Sequence, residues 1–565
     1  MQWPYRFVDL DKDQIQRRRS LLDNYGQFAQ LSILLLPLIY QLLHCLRLLT
    51  GKLQRNAHQQ YQPIKAHQSP IGSQFKRTKP PSSLPSWKRI NWWLNDEIIS
   101  GWETRKQWLL AALWTFWLLC LVFNDTGQDY LHMTKRFGIV AASQLPIHYL
   151  LAAKGWSPVQ FLTKMSHEEL NVYHRILGRI ILGFFACHAT LYLNFFLQKG
   201  LLSKRIKDWD VVLGLTAISS AAVLFTSSLA KIRDYSYRVF FYLHVFLTIF
   251  LLPVLYFHVL HLRLYILEAV VIFGIIILQR NLAEARVSGT INRIPGTNIL
   301  SIKVVVPSSS RFRNFAAGQH IYIGFPSLVE KLRKNPFTIA STPKVSKSQI
   351  ELYVRSLRGT TAMLEALIVQ PQPVPLTVEG PYGSSAKFPP IDDYDRVLLV
   401  AGGIGATFTL PIYIRLLETM NANKVKFLWS VKTVEDAMWG LEAFKNDKGE
   451  ENNPIELYVT TMSSANGTTQ SQRRLKSGST HMSGDGIELE DANDTSEALE
   501  HLRNVAKPGR PDLAAIVDDV FEENQSERVA ILVCGPPGMG RNLRKEVGRW
   551  VIDHKVFWHN EEFGW

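Results

Sequence analysis

The chain of 565 residues has only four cysteines, Cys45, Cys120, Cys187 and Cys534, with no CxxC pair and no spacing suited to metal ligation. Neither a disulfide framework nor a zinc site is expected. CxxCH is missing as well, so any haem would be held without covalent attachment. The N-terminal stretch MQWPYRFVDLDKDQIQRRRS lacks the short apolar core and cleavage site of a removable signal peptide. Acidic residues are in the minority, with 48 Asp and Glu against 63 Lys and Arg. That excess requires no nucleic-acid partner, because much of it flanks apolar runs, where Lys and Arg mark cytoplasmic loops.

Long apolar runs are what the first half does have. Stretches at about 28–49, 107–123, 137–153, 172–197, 209–230, 239–260 and 264–279 approach a bilayer span and predict seven crossings of a lipid bilayer after an N-terminal tail, 1–27. The basic loop 50–106 reads as cytoplasmic, which puts the N-terminus outside and the C-terminal half inside. Arg17, Arg18 and Arg19 stand against that assignment.

Two of these stretches carry paired histidines, His174 with His188 and His244 with His258, both pairs 14 residues apart. At about 100° and 1.5 Å per residue, each helix presents two imidazoles on one face, about 21 Å apart. The two helices run the same way in this topology, so His174 and His244 share the cytoplasmic depth and His188 and His258 the outer one. A hydrogen-bonded buried histidine would explain any one of them. Four at matched depths in an apolar setting point to ligation of two planar groups. Arg175 and Arg179 could neutralise propionates there or reach to the surface, and His261 reads as interfacial.

Beyond Arg280 short alternating runs take over. ILSIKVVV (299–306), HIYIGF (320–325), IELYVRS (350–356) and PLTVEG (375–380) predict an antiparallel β-barrel over 281–390. From Arg396 a strand, glycine turn and helix repeat, predicting an α/β nucleotide-binding domain over 391–565. Residues 462–511, rich in Ser, Thr, Gly and charge, read as a disordered insertion in it. Of the NxS/T sequons only Asn124 lies in a predicted outer loop, so Asn466, Asn493 and Asn524 are expected to be unmodified.

Several motifs carry chemistry. Pro336, Phe337 and Thr338 offer backbone donors, a hydroxyl and apolar packing suited to a flavin ring edge. Arg355, then Arg358, Gly359, Thr360 and Thr361, offer a cation, a close-approach glycine and hydroxyls at a helix start, suited to a pyrophosphate or equally to a solvated loop cap. Gly402, Gly403 and Gly405 follow a strand and precede a helix, where backbone amides can meet a dinucleotide phosphate, although AGGIGAT is not GxGxxG. Cys534, Gly535 and Pro536 repeat the arrangement, and the thiol could face a nicotinamide or be an ordinary buried cysteine.

Taken in order, the paired membrane histidines, PFT, GPYG (380–383), AGGIGATFTLP, GRPDL (509–513), CGPPGM and the terminal EEFGW resemble the fungal ferric reductases of the ferric reductase and NADPH oxidase superfamily, over roughly 130–565. The resemblance implies a haem-binding transmembrane bundle at about 130–280 within 28–280, an FAD-binding barrel and an NADPH-binding α/β domain like those of ferredoxin-NADP reductases. His174 and His244 would then ligate an inner b-type haem, and His188 and His258 an outer one. Pro336, Phe337 and Thr338 would hold FAD, with Arg355, Gly359 and Thr360 near its phosphates. Gly402, Gly403, Gly405, Cys534, Gly535 and Pro536 would line the NADPH site, with Lys432 and Arg510 at the 2′-phosphate. Phe563 or Trp565 would stack on the flavin. Electrons would pass outward to ferric or cupric chelates, in the plasma membrane. One residue departs from the pattern: Asn335 stands where the family usually has His. The same relay would serve a superoxide-producing oxidase, and the membrane half alone would suit a transporter, a channel or a non-catalytic scaffold.

Overall fold

Helices dominate up to residue 283 because apolar residues there run on for five or more turns, long enough to satisfy every backbone amide within one segment. The structure, a computed structural model, describes residues 4–49 (except 36, 44, 47 and 48), 87–99, 102–306, 312, 314–325, 334–341, 349–357, 359–443, 455–461, 499–522 (except 501) and 527–562. Most of the basic loop, the three sequons Asn466, Asn493 and Asn524, Arg358, and both Phe563 and Trp565 lie outside the described residues. The chain divides after Leu282 into two compact units.

The first unit is a helical bundle: α1 (Lys12–Ser32), α2 (Arg105–Phe123), α3 (Tyr130–Ser143), α4 (Leu145–Leu151), α5 (His167–Gln198), α6 (Trp209–Ser227), α7 (Tyr237–His258) and α8 (Arg263–Ala283). Among the described residues six segments are long and apolar enough to cross a membrane: Lys12–Leu43, Arg105–Phe123, His167–Gln198, Trp209–Ser227, Tyr237–His258 and Leu260–Ala283. Sequence patterning predicted seven. The missing one, 137–153, is split into α3 and α4 at Gln144, just before Pro146, whose ring cannot donate to a continuing helix. Despite the break, α3 is nearly all buried, lying against α1 and α5 with Met133, Val140 and Ala142 in the bundle core. The first span also begins earlier than predicted, because the capping box of Asp11 and Gln14 starts α1 there and brings Arg17 to Arg19 into the helix.

The second unit holds two sheets. One is antiparallel in the order β4-β3-β6-β1-β2-β5, from β1 (Glu284–Arg293), β2 (Ile299–Val305), β3 (His320–Gly324), β4 (Asn335–Thr338), β5 (Gln349–Arg355) and β6 (Val374–Tyr382). It nearly closes, since Ala340 N just beyond β4 donates to Glu351 O in β5 at 2.9 Å. Alternate residues of β2 and β5 turn inward, so Leu300, Ile302, Ile350 and Leu352 fill the barrel. Each such full burial contributes about 1.5–3 kcal/mol before entropy is counted.

The other sheet is parallel, in the order β10-β9-β8-β7-β11-β12: β7 (Arg396–Gly402), β8 (Val425–Val431), β9 (Ile455–Val459), β10 (Lys507–Pro508), β11 (Arg528–Cys534) and β12 (Lys555–Glu561). Central strands covered on both faces read as continuous apolar runs, as VLLVA and VAILVC do. Strand order reverses between β7 and β11, which opens a crevice at their C-terminal ends. The predicted insertion ends earlier than residue 511: Lys507 and Pro508 pair with Tyr458 and Val459 of β9. Residues 462–498 lie outside the described ones.

Candidate functional site

In the bundle, Ser166 and Glu169 form a capping box that starts α5, which places His174 two turns in. Ser236 caps α7 through Val239 N, and α7 continues past Pro253 to His258. The two helices bring the rings of His174 and His244 together, with centres 6.4 Å apart and planes inclined by 58°. His258 is close enough to act electrostatically on His188. The matched depths inferred from spacing therefore recur as spatial pairs.

All four rings are pinned by the same nitrogen. His174 Nδ1 donates to His148 O at 2.9 Å, His188 Nδ1 to Thr134 O at 2.8 Å and His258 Nδ1 to Asp210 O at 2.7 Å. His244 Nδ1 lies 3.2 Å from Ser228 Oγ, whose own hydrogen goes to Leu224 O at 2.7 Å, so the hydroxyl accepts from the ring. A carbonyl can only accept, so each Nδ1 carries the hydrogen and each Nε2 keeps a lone pair. This is the tautomer a metal-ligating histidine needs, oriented as such ligands are. An imidazole nitrogen sits about 2 Å from a first-row metal and its ring centre about 1.1 Å further, so two axial rings stand roughly 6.3 Å apart. The inner pair fits that spacing. Among the described residues no group of three or more His, Cys, Asp or Glu could hold a metal by itself. The pairs thus suit a metal that brings its own equatorial ligands.

Glycines make room for these rings. A Cβ on Gly138 would fall 2.8 Å from His188 Nδ1, and one on Gly214 would fall 2.8 Å from His258 Cε1.

Sequence reasoning missed two participants. His148, on the short α4, stacks on His174, and no periodicity links residues on separate helices. Glu103, buried just before the N-cap of α2, pairs with Arg179 at 3.0 Å and lies 3.7 Å from Arg175. Burial alone would raise the Glu103 pKa, but the Arg179 hydrogen bond and both guanidinium charges bring it below the ordinary carboxylate value. Arg175 and Arg179 are therefore tied to a carboxylate rather than merely reaching to the surface. His261, read as interfacial, donates from Nδ1 to Asp23 Oδ1 at 2.7 Å.

In the second unit, Pro336 and Phe337 pair with Tyr322 and Ile321 of β3, and Thr338 is buried. Thr360, which opens the short helix α9 (Thr360–Ala366), donates to Asn335 Oδ1 at 3.4 Å. The Pro-Phe-Thr strand and the proposed phosphate turn are thus neighbours through the residue that departs from the family pattern. Gly359 has φ +69°, with open space where a Cβ would stand. Arg355 Nη2 is paired with Asp436 at 3.1 Å and lies 4.0 Å from a Cβ built on Gly403, so it faces the glycine turn.

At the crevice the glycines divide by role. A Cβ on Gly402 would fall 2.5 Å from Pro536 Cδ, and one on Gly405 only 2.2 Å from Cys534 O. These two let the turns after β7 and β11 touch backbone to backbone, as does Gly535, whose Cβ would be 3.0 Å from Gly402 Cα. Gly403, at φ +56°, has no such neighbour and leaves its backbone open. Cys534 is fully buried in the core of the sheet, and burial, reinforced by Glu561 and Glu562, holds its thiol well above the ordinary pKa. Lys432 and Arg510 are exposed at the C-terminal ends of β8 and β10, on either side of β9, where Thr461 N donates to Lys432 O at 3.2 Å and Gly509 N to Val459 O at 2.9 Å.

One unit thus holds a helical bundle with pinned histidine pairs, and the other an antiparallel barrel and a parallel α/β sheet. Three family profiles match in that order: "Ferric reductase like transmembrane component" at 137–255, "FAD-binding domain" at 284–386 and "Ferric reductase NAD binding domain" at 394–548. The chain thus carries a ferric reductase-like transmembrane domain followed by FAD- and NAD-binding domains. It is 24% identical over 449 residues to ferric reductase transmembrane component 3 of Saccharomyces cerevisiae, covering 77% of this chain and 61% of that protein. It is 22% identical over 487 residues to a probable metalloreductase, AIM14, of Scheffersomyces stipitis, covering 83% and 88%. Ferric/cupric reductase transmembrane component 2 of Saccharomyces cerevisiae is 23% identical over 451 residues, covering 75% and 59%. The chain thus spans about three fifths of the two Saccharomyces relatives and most of the Scheffersomyces one.

Proposed function

We propose that the protein carries electrons across a membrane, from cytosolic NADPH through FAD and two b-type haems to ferric chelates, with cupric ones as a second substrate, serving metal uptake at the plasma membrane. The observation that carries this reading is the common tautomer of four histidines at two depths, each with Nδ1 engaged and Nε2 free. His174 and His244 would hold the inner haem, His188 and His258 the outer. When bound, NADPH supplies a hydride, FAD splits the electron pair and haem iron carries single electrons. Imidazoles on both sides leave the iron no open position, which favours electron transfer over oxygen binding.

Pro336, Phe337 and Thr338 would position the flavin, with Arg355, Gly359 and Thr360 toward its phosphates and Phe563 or Trp565 against its ring. Gly402, Gly403, Gly405, Gly535 and Pro536 would shape the nucleotide crevice around Cys534. Lys432 and Arg510, on the strand ends that flank β9, would meet the 2′-phosphate that separates NADPH from NADH. The domain limits follow: 28–280 for the membrane region, 281–390 for the flavin barrel and 391–565 for the nucleotide domain.

The test is a reduced-minus-oxidised spectrum of membranes given NADPH under argon. Two b-type haems per chain are expected, together with anaerobic reduction of ferric chelate. Absence of haem would defeat the relay in favour of a transporter or channel, and superoxide without chelate reduction would favour an oxidase.

A further inference from the structure

His148 is a buried side chain that the relay does not use. It lies 26 residues before His174, on a different helix, yet the rings stack with centres 4.0 Å apart and planes within 14°. Backbone bonds close the contact in both directions: His174 Nδ1 donates to His148 O at 2.9 Å and His148 Nε2 donates to His174 O at 3.1 Å. Gly178, one turn along α5 from His174, is what admits the ring, since a Cβ there would stand 2.9 Å from His148 Nε2. The Nε2 of His148 is committed to a carbonyl, so this ring is no substitute ligand.

The outer pair is built differently. His188 meets Tyr192 edge-on, with ring centres 5.0 Å apart and planes at 69°, and leans on Gly138 with no second imidazole flat against it.

We infer that His148 is a positioning residue for the inner haem, a flat clamp that fixes the plane of His174 at its 58° inclination to His244. This rests on the haem reading of the proposed function. The angle between two axial imidazole planes governs the low-spin ferric resonance of a haem, and it is a property that packing stability alone does not report. A ligand ring held at one angle gives its haem one sharp signal, distinct from that of the outer haem.

The experiment is electron paramagnetic resonance of the full-length ferric protein, with haem-to-protein ratio, for the wild type and four variants. His174→Ala identifies the inner signal by its loss. His148→Leu is expected to shift or broaden that signal alone, His148→Phe to restore it by keeping a flat ring, and Gly178→Ala to disturb it as His148 is displaced. Both signals unchanged in His148→Leu, both disturbed together, or equal damage by Leu and Phe would each overturn the clamp. A wild type without haem would instead overturn the relay itself. Should His148→Leu fail to fold, Gly178→Ala and His148→Phe still decide the matter.

Discussion

Glycines in the two units serve opposite purposes. In the bundle, Gly138, Gly178 and Gly214 are absences into which imidazole rings fit, so the chemistry there resides in side-chain nitrogens. In the nucleotide sheet, Gly402, Gly405 and Gly535 let one backbone turn rest on another, while Gly403 leaves its backbone open. A membrane interior offers no water to orient a polar side chain, so each ring must be held by a carbonyl or hydroxyl of its neighbours. A crevice at the ends of parallel strands can hold a ligand with amides instead. The same residue type thus marks ligand orientation in one unit and backbone approach in the other.

The largest effect should come from removing an outer ring. His188→Ala or His258→Ala is expected to abolish chelate reduction by membranes while leaving NADPH-dependent dye reduction in place. Surface reduction that survives would sink the ligand assignment. Next comes a direct test of the glycine contrast. Gly405→Ala forces a methyl into the Cys534 carbonyl, which overpacks a rigid core at a cost of about 1–3 kcal/mol or more. That predicts a thermal midpoint lower by roughly 2–4 °C per kcal/mol, followed by flavin fluorescence. Gly214→Ala, meeting the His258 ring at Cε1 and Nδ1 rather than backbone, should instead alter the haem spectrum with less change in melting. Equal loss of stability in both would erase the distinction.

A smaller change is expected at the nucleotide. Replacing Lys432 and Arg510 together by Ala should raise KM for NADPH about tenfold, the equivalent of about 1.4 kcal/mol, and leave NADH unaffected. A matching loss with NADH would remove them from the 2′-phosphate. The smallest effect belongs to Glu103. Its folded pKa is depressed, so its contribution is present above the ordinary carboxylate value and is lost as pH falls through the folded one. With both arginines more than a third exposed, the pairing contributes on the order of 1 kcal/mol or less. Glu103→Gln should flatten the acid limb of stability measured by melting against pH, and an unchanged limb would refute the pairing.

The two 14-residue intervals were legible because helical repeat and apolar length are local properties, and the strand, glycine turn and helix at 396–417 was legible for the same reason. The break at Gln144 was harder, since 137–153 is mostly apolar and Gln144 with Pro146 hints at it only weakly. Lys507 and Pro508 were hidden inside a polar stretch, because a two-residue strand is made by its partner β9 rather than by its own composition. His148 and Glu103 left no trace in any periodicity: each acts on α5 from another segment.

By itself the sequence determined the class of elements, the 14-residue pairing of four histidines and the order of bundle, barrel and nucleotide sheet, all of which follow from short-range pattern. Only the tertiary structure decided which nitrogen of each ring is engaged, that Cys534 is buried against the Gly405 turn, and that His148 lies flat on His174. Those depend on carbonyls, glycines and rings from distant segments meeting within a few ångströms, and no local pattern encodes which segments will meet.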